Sequence, residues 1–177
     1  MSDERRVKRV KVAKGKVEII VHTGSVLDPD EISIKSADEP RPQLPAALQA
    51  LAPHVLTLCE LRGSLEVRSV SFSYTQGAED EIVMGASVSG LRPLASSRSP
   101  MVVNSPHVPE SDYGGNEDSE CVLDADFVDA LDAVVVEALA YVDGQRAQGQ
   151  LFEEKRPCVL EQVAGIVSER EPAEATA

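Results

Sequence analysis

Hydrophobic and polar residues alternate with a period of two near the start of the chain, over residues 7–13 and 16–22. The two runs flank Lys14 and Gly15, and this pattern predicts two β-strands joined as a hairpin. Lysines on the first run are typical of a strand at the edge of a sheet. A proline-containing turn then precedes a third predicted strand at residues 31–35.

Two segments carry apolar residues at helical spacing. Residues 46–61 predict a buried helix, in which Pro53 favours either a kink or two short helices with the proline at the first position of the second. The stronger signal starts at Asp124, the predicted N-cap, and Gly144 can end it. Its apolar positions follow one helix face: Phe127, Leu131, Val134, Val135, Ala138, Leu139 and Val142.

Between the two helices the period returns to two, and strands are predicted at residues 65–74 and 81–90. The first of them places Val70, Phe72 and Tyr74 on one face and serines on the other. Residues 92–120 are rich in proline and serine and predict loop, apart from a strand-like fragment at Met101 to Val103.

The order of these elements predicts an α+β fold, with an antiparallel or mixed sheet and two main helices on one of its faces. A chain of 177 residues is the size of one ordinary domain. We assign that domain to residues 1–152. Residues 153–177 are predicted to form a partly disordered tail, because the last of them have little apolar surface to bury.

Charge is distributed unevenly along the chain. The formal net charge is −13, from 17 Lys and Arg against 30 Asp and Glu. Residues 1–16 nevertheless hold seven of the cations, whereas residues 110–140 hold ten acids and no Lys or Arg. Such a chain can present a basic surface to a polyanion while its acidic part repels that polyanion or binds another partner. The alternative is a solvated strand edge and a solvated helix start.

The spacing of the cysteines and the length of the apolar runs indicate the cellular compartment of the protein. Cys59, Cys121 and Cys158 are far apart and form no C-x-x-C pair, which predicts neither a disulfide framework nor a zinc site. We expect no metal and no cofactor. No apolar run reaches the roughly 18 residues needed to cross a bilayer, and no signal peptide is recognisable. The sequence therefore predicts a cytoplasmic protein without membrane contact.

No motif predicts catalysis. Nucleophilic chemistry would have to combine a serine or cysteine with one of three histidines, and none of them lies in a recognisable motif. His54 lies in an apolar helix and is predicted to be structural, and His107 is assigned to a turn. The acidic cluster at Asp124, Asp126 and Asp129 lacks the glycine and glutamate of an EF-hand, so we interpret it as a helix start. We therefore expect no enzyme activity.

Single-stranded nucleic acid is a possible ligand for the basic strand. Binding of this kind combines a cationic groove with aromatic rings that stack on bases. The candidate residues are Arg5, Arg6, Lys8, Arg9, Lys11, Arg68, Phe72 and Tyr74. The alternative for the two aromatic residues is core packing, because the chain has only three Phe, three Tyr and no Trp.

The peptide Gln148-Gly149-Gln150-Leu151-Phe152 resembles the Q-x-x-L-F class of pentapeptide with which bacterial polymerases and repair proteins dock onto the sliding clamp. The resemblance rests on Gln148, Leu151 and Phe152. It departs from the fuller consensus at the second and third positions. Two large apolar anchors and a glutamine suit a hydrophobic pocket on a partner. The alternative is that Leu151 and Phe152 fold back onto the domain.

Residues 7–152 also resemble a family of small acidic bacteriophage and prophage proteins of unestablished function. The segments that carry the resemblance are PHVLTLCEL (53–61), VSFSY (70–74), IVMGA (82–86), VNSPHVP (103–109) and AYVDGQRAQGQLF (140–152). The resemblance implies a phage or prophage origin and a role in DNA replication, recombination or host takeover. It carries over no catalytic residue.

Three hypotheses follow. The first is a non-enzymatic accessory protein of phage DNA metabolism that docks on the host sliding clamp through Gln148, Leu151 and Phe152. The second is a single-stranded DNA-binding protein that uses the basic N-terminal strand. The third is a phage inhibitor whose acidic surface at residues 110–137 blocks a host defence enzyme. The oligomeric state is left open.

Overall fold

A computed structural model describes residues 5–76, 82–110 and 122–147, all of which belong to one compact unit, Met1–Ala147. The predicted pentapeptide and the predicted tail lie outside the described residues. So do residues 111–121, which belong to the acidic stretch.

The described chain contains seven strands and three helices. The strands are β1 (Arg6–Ala13), β2 (Lys16–Gly24), β3 (Pro29–Ser36), β4 (Glu66–Gln76), β5 (Ile82–Leu94), β6 (Ser97–Asn104) and β7 (Val108–Pro109). The helices are α1 (Gln43–Ala50), α2 (Ala52–Leu58) and α3 (Ala125–Val142). Together they confirm the predicted α+β class.

The strands form one antiparallel sheet in the order β3-β2-β1-β4-β5-β6, with β7 paired to β5 beyond the end of β6. The expectation that the lysine-rich first strand is an edge is wrong. After β3 the chain crosses one face of the sheet as α1 and α2, and β4 then adds to the open side of β1. That return makes β1 a central strand.

The predicted hairpin between β1 and β2 is present, and its turn explains why the chain needs Gly15. Lys14 and Gly15 both have positive φ angles, 51° and 70°. This left-handed backbone matches the twist of the flanking strands in a two-residue hairpin loop.

The helix boundaries also follow from local chemistry. Pro53 is the second residue of α2, and the chain breaks into two short helices at Leu51. The Asp124 side chain accepts a hydrogen bond from the Phe127 N–H at 2.6 Å and caps α3. Gly144, at φ 90°, follows its end.

All three helices cover the same face of the sheet, as predicted, and the core lies between the two layers. The sheet contributes inward-facing residues of β1, β2, β4 and β5, and the helices contribute their apolar faces. The largest fully buried side chains are Tyr141, Phe72, Ile19, Leu44, Leu48, Leu51, Leu131, Val7, Val10, Val17, Val21 and Val55.

The segment after residue 92 differs from its prediction as loop. β5 continues to Leu94 and turns directly into β6, which runs to Asn104. Pairing with β5 satisfies the backbone there despite the serines and Pro100. A proline is tolerated because β6 lies at an edge of the sheet formed by the described residues, where none of their strands needs its missing N–H.

Candidate functional site

The sheet face opposite the helices, here called the open face, is polar at its centre. Because side chains alternate along a strand, burial of Val10 in the core turns Arg9 and Lys11 to the open face. β4 and β5 likewise bury their apolar residues and turn serines outward. We call the set Arg9, Lys11, Ser69, Ser71, Ser87 and Ser89 the polar patch.

The pairing register arranges the polar patch in two rows across three strands. Arg9 lies opposite Ser71, which lies opposite Ser87. Lys11 lies opposite Ser69, which in turn lies opposite Ser89. The rows are two residues apart along each strand, or about 6.7 Å. The row of Arg9 places one cation beside two partly exposed serines, Ser71 and Ser87. In the row of Lys11, Ser69 is only 9% exposed, and the Ser89 hydroxyl donates a hydrogen bond to Asn104 Oδ1 at 2.6 Å.

Two further cations lie at β-bulges of β1 and β4. Lys8 is the extra residue of a bulge in β1, between Val7 and Arg9. Arg68 is the extra residue of a bulge in β4, and its guanidinium lies 2.7 Å from the Glu66 carboxylate. Bulges re-aim neighbouring side chains and are common next to functional sites.

The two cations of the patch have no partner within the described residues. No hydrogen bond or ion pair engages Arg9 or Lys11, and the Nε of Arg9 is buried without a hydrogen-bond acceptor. Lys11 lies opposite Glu18, but the Glu18 carboxylate is 3.4 Å from the Nζ of Lys35. Arg9 and Lys11 are each only partly buried, so both cations are suited to an incoming anion.

The predicted aromatic residues do not belong to this surface. Phe72 is 1% exposed in the core, on the opposite face of the sheet from Arg9 and Lys11, so its ring cannot stack on a base. Tyr74 faces the core side as well, and its hydroxyl donates a hydrogen bond to the Val7 carbonyl at 3.0 Å. Burial raises the pKa of Tyr74 to about 12. The prediction that joined these rings to the basic strand is corrected accordingly.

The first two predicted cations are engaged in the fold. Arg5 lies 2.6 Å from the Asp143 carboxylate just beyond α3, and its hydrogen bond lowers the pKa of that carboxyl. Arg6 is 7% exposed and donates a hydrogen bond to the Gly24 carbonyl. They connect β1 to its neighbours, so the free cationic surface starts later on the strand than predicted.

A serine and a histidine meet on the open face beside the patch, a contact that the sequence did not predict. The Ser73 hydroxyl lies 3.0 Å from the His107 Nε2. The imidazole packs over Gly85, where a Cβ atom would be 2.7 Å from it. Glycine inside a predicted strand is a signal of such a close approach. The pair extends the row of hydroxyls along β4.

The remaining candidate residues have structural surroundings. The His54 ring lies against Phe127, and its Nδ1 is 3.8 Å from the Asp124 carboxylate. Among the residues described, no three His, Cys, Asp or Glu side chains are grouped as metal ligands. The helices of the described segments include none long and apolar enough to cross a membrane.

Part of the predicted acidic surface lies on α3. On α3, Asp126, Asp129 and Asp132 are exposed at three-residue intervals. Gln148, Leu151 and Phe152 lie outside the described residues. The compact unit ends at Ala147, whose N–H donates a hydrogen bond to the Glu39 carbonyl at 3.0 Å.

Comparisons of the chain with models of known protein families, with curated proteins and with solved structures found no match.

Proposed function

We propose that this chain is a non-enzymatic phage or prophage protein of DNA metabolism whose polar patch binds the phosphate backbone of single-stranded nucleic acid. The observation that carries the proposal is the position of Arg9 and Lys11 on the open face without a partner among the described residues, beside the partly exposed Ser71 and Ser87.

The chemistry of the patch fits phosphate. A guanidinium donates two parallel hydrogen bonds to phosphate oxygens, and an ammonium adds a second positive charge. Serine hydroxyls are common donors to the backbone of nucleic acids. Arg9 and Lys11 follow each other along one strand of the sheet, which suits successive phosphates of an extended strand.

The shape of the surface favours a single strand over a duplex. A broad antiparallel sheet does not enter a groove of B-DNA, whereas sheet faces are a common platform for single strands. The net charge of −13 also opposes close approach of a duplex to the whole surface. Without stacking rings on the patch, binding depends on charge and is independent of base sequence.

The test is fluorescence anisotropy of a labelled oligothymidine titrated with the full chain at two salt concentrations. Neutralising two to four phosphates gives a slope of log K against log salt of about −1.4 to −2.8. The Arg9→Glu, Lys11→Glu double variant should lose binding. The Lys14→Glu, Arg62→Glu variant changes the net charge equally outside the patch and should retain most of it.

Two results would reject the patch as the site. One is the absence of binding at low salt. The other is equal loss of affinity in the patch variant and its charge-matched control, which would show that only overall charge matters. Tighter binding of a labelled duplex than of the oligothymidine would contradict the proposed preference for a single strand.

We also propose that the chain docks on the host sliding clamp through Gln148, Leu151 and Phe152. These residues belong to the peptide that directly follows the compact unit. The proposal is supported by the resemblance to clamp-binding pentapeptides and by the end of the compact unit at Ala147. Purified clamp should bind the full chain at micromolar strength, about −8 kcal/mol.

Two variants of this chain test whether the three anchor residues, rather than the rest of the peptide, bind the clamp. Alanine at all three positions should remove most of the affinity and leave the melting temperature unchanged. Gln150→Ala, in the same peptide at a position without an anchor, should bind as the wild type does. Equal clamp binding by the triple variant and the wild type would disprove docking through this peptide.

A further inference from the structure

We infer that β3 is a self-complementary edge strand through which two copies of this chain pair into one continuous sheet. The inference is independent of the proposed nucleic-acid and clamp functions. It rests on the register of β3 and on the chemistry of Glu31, Ile32, Ile34 and Lys35.

β3 is an end of the sheet as far as the chain is described. It is hydrogen-bonded to β2 on one side, and the sheet order places no described strand on its other side. Every second residue of such a strand directs its N–H and C=O groups outward, which is a template for another strand. Pro29 is only the first residue of β3, so proline does not interrupt the edge. The opposite edge strand, β6, has Pro100 in its interior.

The two faces of β3 differ in polarity. Ile32 and Ile34 lie opposite Val21 and Ile19 of β2, whose side chains are in the core, so they belong to the helix-covered side. Ile32 is nonetheless 49% exposed, because no described strand lies beyond it. Glu31, Ser33 and Lys35 lie on the open face.

Only one antiparallel register brings these residues into favourable pairs. The side chains of both copies must keep the same face, so open-face residues pair with each other. With Ser33 opposite Ser33 of the second copy, Glu31 lies opposite Lys35, and Ile32 lies opposite Ile34, twice each by symmetry. A shift by two residues in one direction along β3 places Glu31 opposite Ser33, and a shift in the other direction places Lys35 opposite Ser33.

The charges are accessible for this pairing. The Glu31 side chain is 58% exposed, with its carboxylate 3.3 Å from the His22 Nε2, and the Lys35 side chain is 71% exposed, with its Nζ 3.4 Å from the Glu18 carboxylate. A carboxylate and an ammonium each make several hydrogen bonds, so both keep room for a second partner. Charged residues on an edge strand normally discourage strand addition. In β3, Glu31 and Lys35 discourage pairing in other registers and with other strands. In the register centred on Ser33 the opposite charges face each other, which favours a second copy of the chain as the partner.

The paired sheet would have its two open faces on the same side, because a two-fold axis perpendicular to the sheet relates the copies. The two sets of Arg9 and Lys11 would then lie on one continuous surface.

Sedimentation velocity of the full chain over a range of concentrations tests the inference. The wild type should shift from a monomer of 19.0 kDa toward twice that mass as its concentration rises. Glu31→Lys alone opposes two lysines, and Lys35→Glu alone opposes two glutamates, so each variant should remain monomeric. Asp129→Lys and Arg62→Glu carry the same charge changes away from β3 and should dimerise as the wild type does.

Restoration of pairing makes the test independent of folding damage. The Glu31→Lys, Lys35→Glu double variant exchanges the charges and should dimerise again. An equimolar mixture of the two single variants should form a heterodimer, because each lysine then meets a glutamate. A monomeric wild type at its highest soluble concentration, or single variants that dimerise unchanged, would overturn the inference. Failure of both the double variant and the mixture to restore pairing would overturn the proposed register.

Discussion

The imidazole of His54 stacks on the ring of Phe127, with 4.9 Å between the ring centroids and 7° between the ring planes. This contact joins α2 to the first turn of α3, where Asp124 accepts a hydrogen bond from the Phe127 N–H. The same carboxylate lies 3.8 Å from the His54 Nδ1. The prediction that His54 is a structural residue agrees with these contacts.

Replacement of Asp124 separates its capping role from its charge. Asp124→Ala should destabilise the fold by about 1 kcal/mol, because the Phe127 N–H loses its acceptor. Asp124→Asn keeps a side-chain acceptor for this N–H, so its free energy of unfolding should stay within a few tenths of a kcal/mol of the wild-type value. Urea denaturation measures both values. Equal losses in the two variants would mean that the charge, and not the cap, stabilises the helix start.

Leu131 tests the assignment of the buried face of α3. It is 0% exposed, so Leu131→Ala should cost about 2–5 kcal/mol of unfolding free energy through lost burial and a cavity. Val136 lies on the same helix and is 63% exposed, and Val136→Ala is the matched control with a cost below about 0.5 kcal/mol. Similar costs for the two truncations would contradict the orientation of the helix.

Two glycines of β5 should respond differently to alanine. A Cβ at Gly90 would lie 2.7 Å from the Glu66 carbonyl oxygen, which belongs to a paired backbone and cannot move freely. We expect Gly90→Ala to cost about 1–3 kcal/mol, as overpacking does. At Gly85 the close atoms belong to the Ser73 and His107 side chains, which can rotate away.

Gly85→Ala should therefore change stability by less than about 0.5 kcal/mol while it breaks the contact between Ser73 and His107. Thermal unfolding gives the stability of both variants, and the imidazole NMR signals of His107 report the contact. A larger loss at Gly85 than at Gly90 would show that the histidine is held rigidly on the open face.

The raised pKa of Tyr74 predicts that the fold loses stability at alkaline pH. Its pKa is about 12 in the folded chain and about 10 when unfolded, so the unfolded state loses the proton first as pH rises. The contribution is complete below pH 10 and is lost as the pH approaches 12. Its upper limit is about 2.7 kcal/mol for a shift of about two pH units, and partial exposure of the side chain reduces it.

Tyr74→Phe provides the control for this pH dependence. The variant lacks the ionisable hydroxyl and should lose less stability than the wild type between pH 10 and 12. At neutral pH its free energy of unfolding should also be about 1 kcal/mol lower than that of the wild type, because the Val7 carbonyl loses its donor. Urea denaturation across that pH range measures both effects. Parallel pH profiles would show that Tyr74 ionises as freely in the folded chain as in the unfolded one.

The alternation of apolar residues was sufficient to predict the local elements, since it reflects which side of each strand or helix is buried. The serines of β4 and the valine and aromatic residues between them separate onto opposite faces as predicted. Proline and serine in residues 92–104 indicated loop, because propensity does not register the pairing of β6 with β5.

For the candidate site, the sequence identified the cations of β1 but not their surroundings. Whether Arg9 lies beside Phe72 or beside Ser71 depends on which residues of β4 face the same side as β1 in the pairing register. That register is a contact between segments about sixty residues apart in the chain.

The sequence by itself determined the α+β class, the hairpin, the helix cap at Asp124 and the break near Pro53, because each depends on neighbouring residues or on a short period. Only the tertiary structure decided that β1 is central and that β3 is the last strand on its side of the described sheet. The physical reason is that strand order depends on which long-range backbone pairings are formed, and the return of the chain through α1 and α2 leaves no local pattern that specifies them.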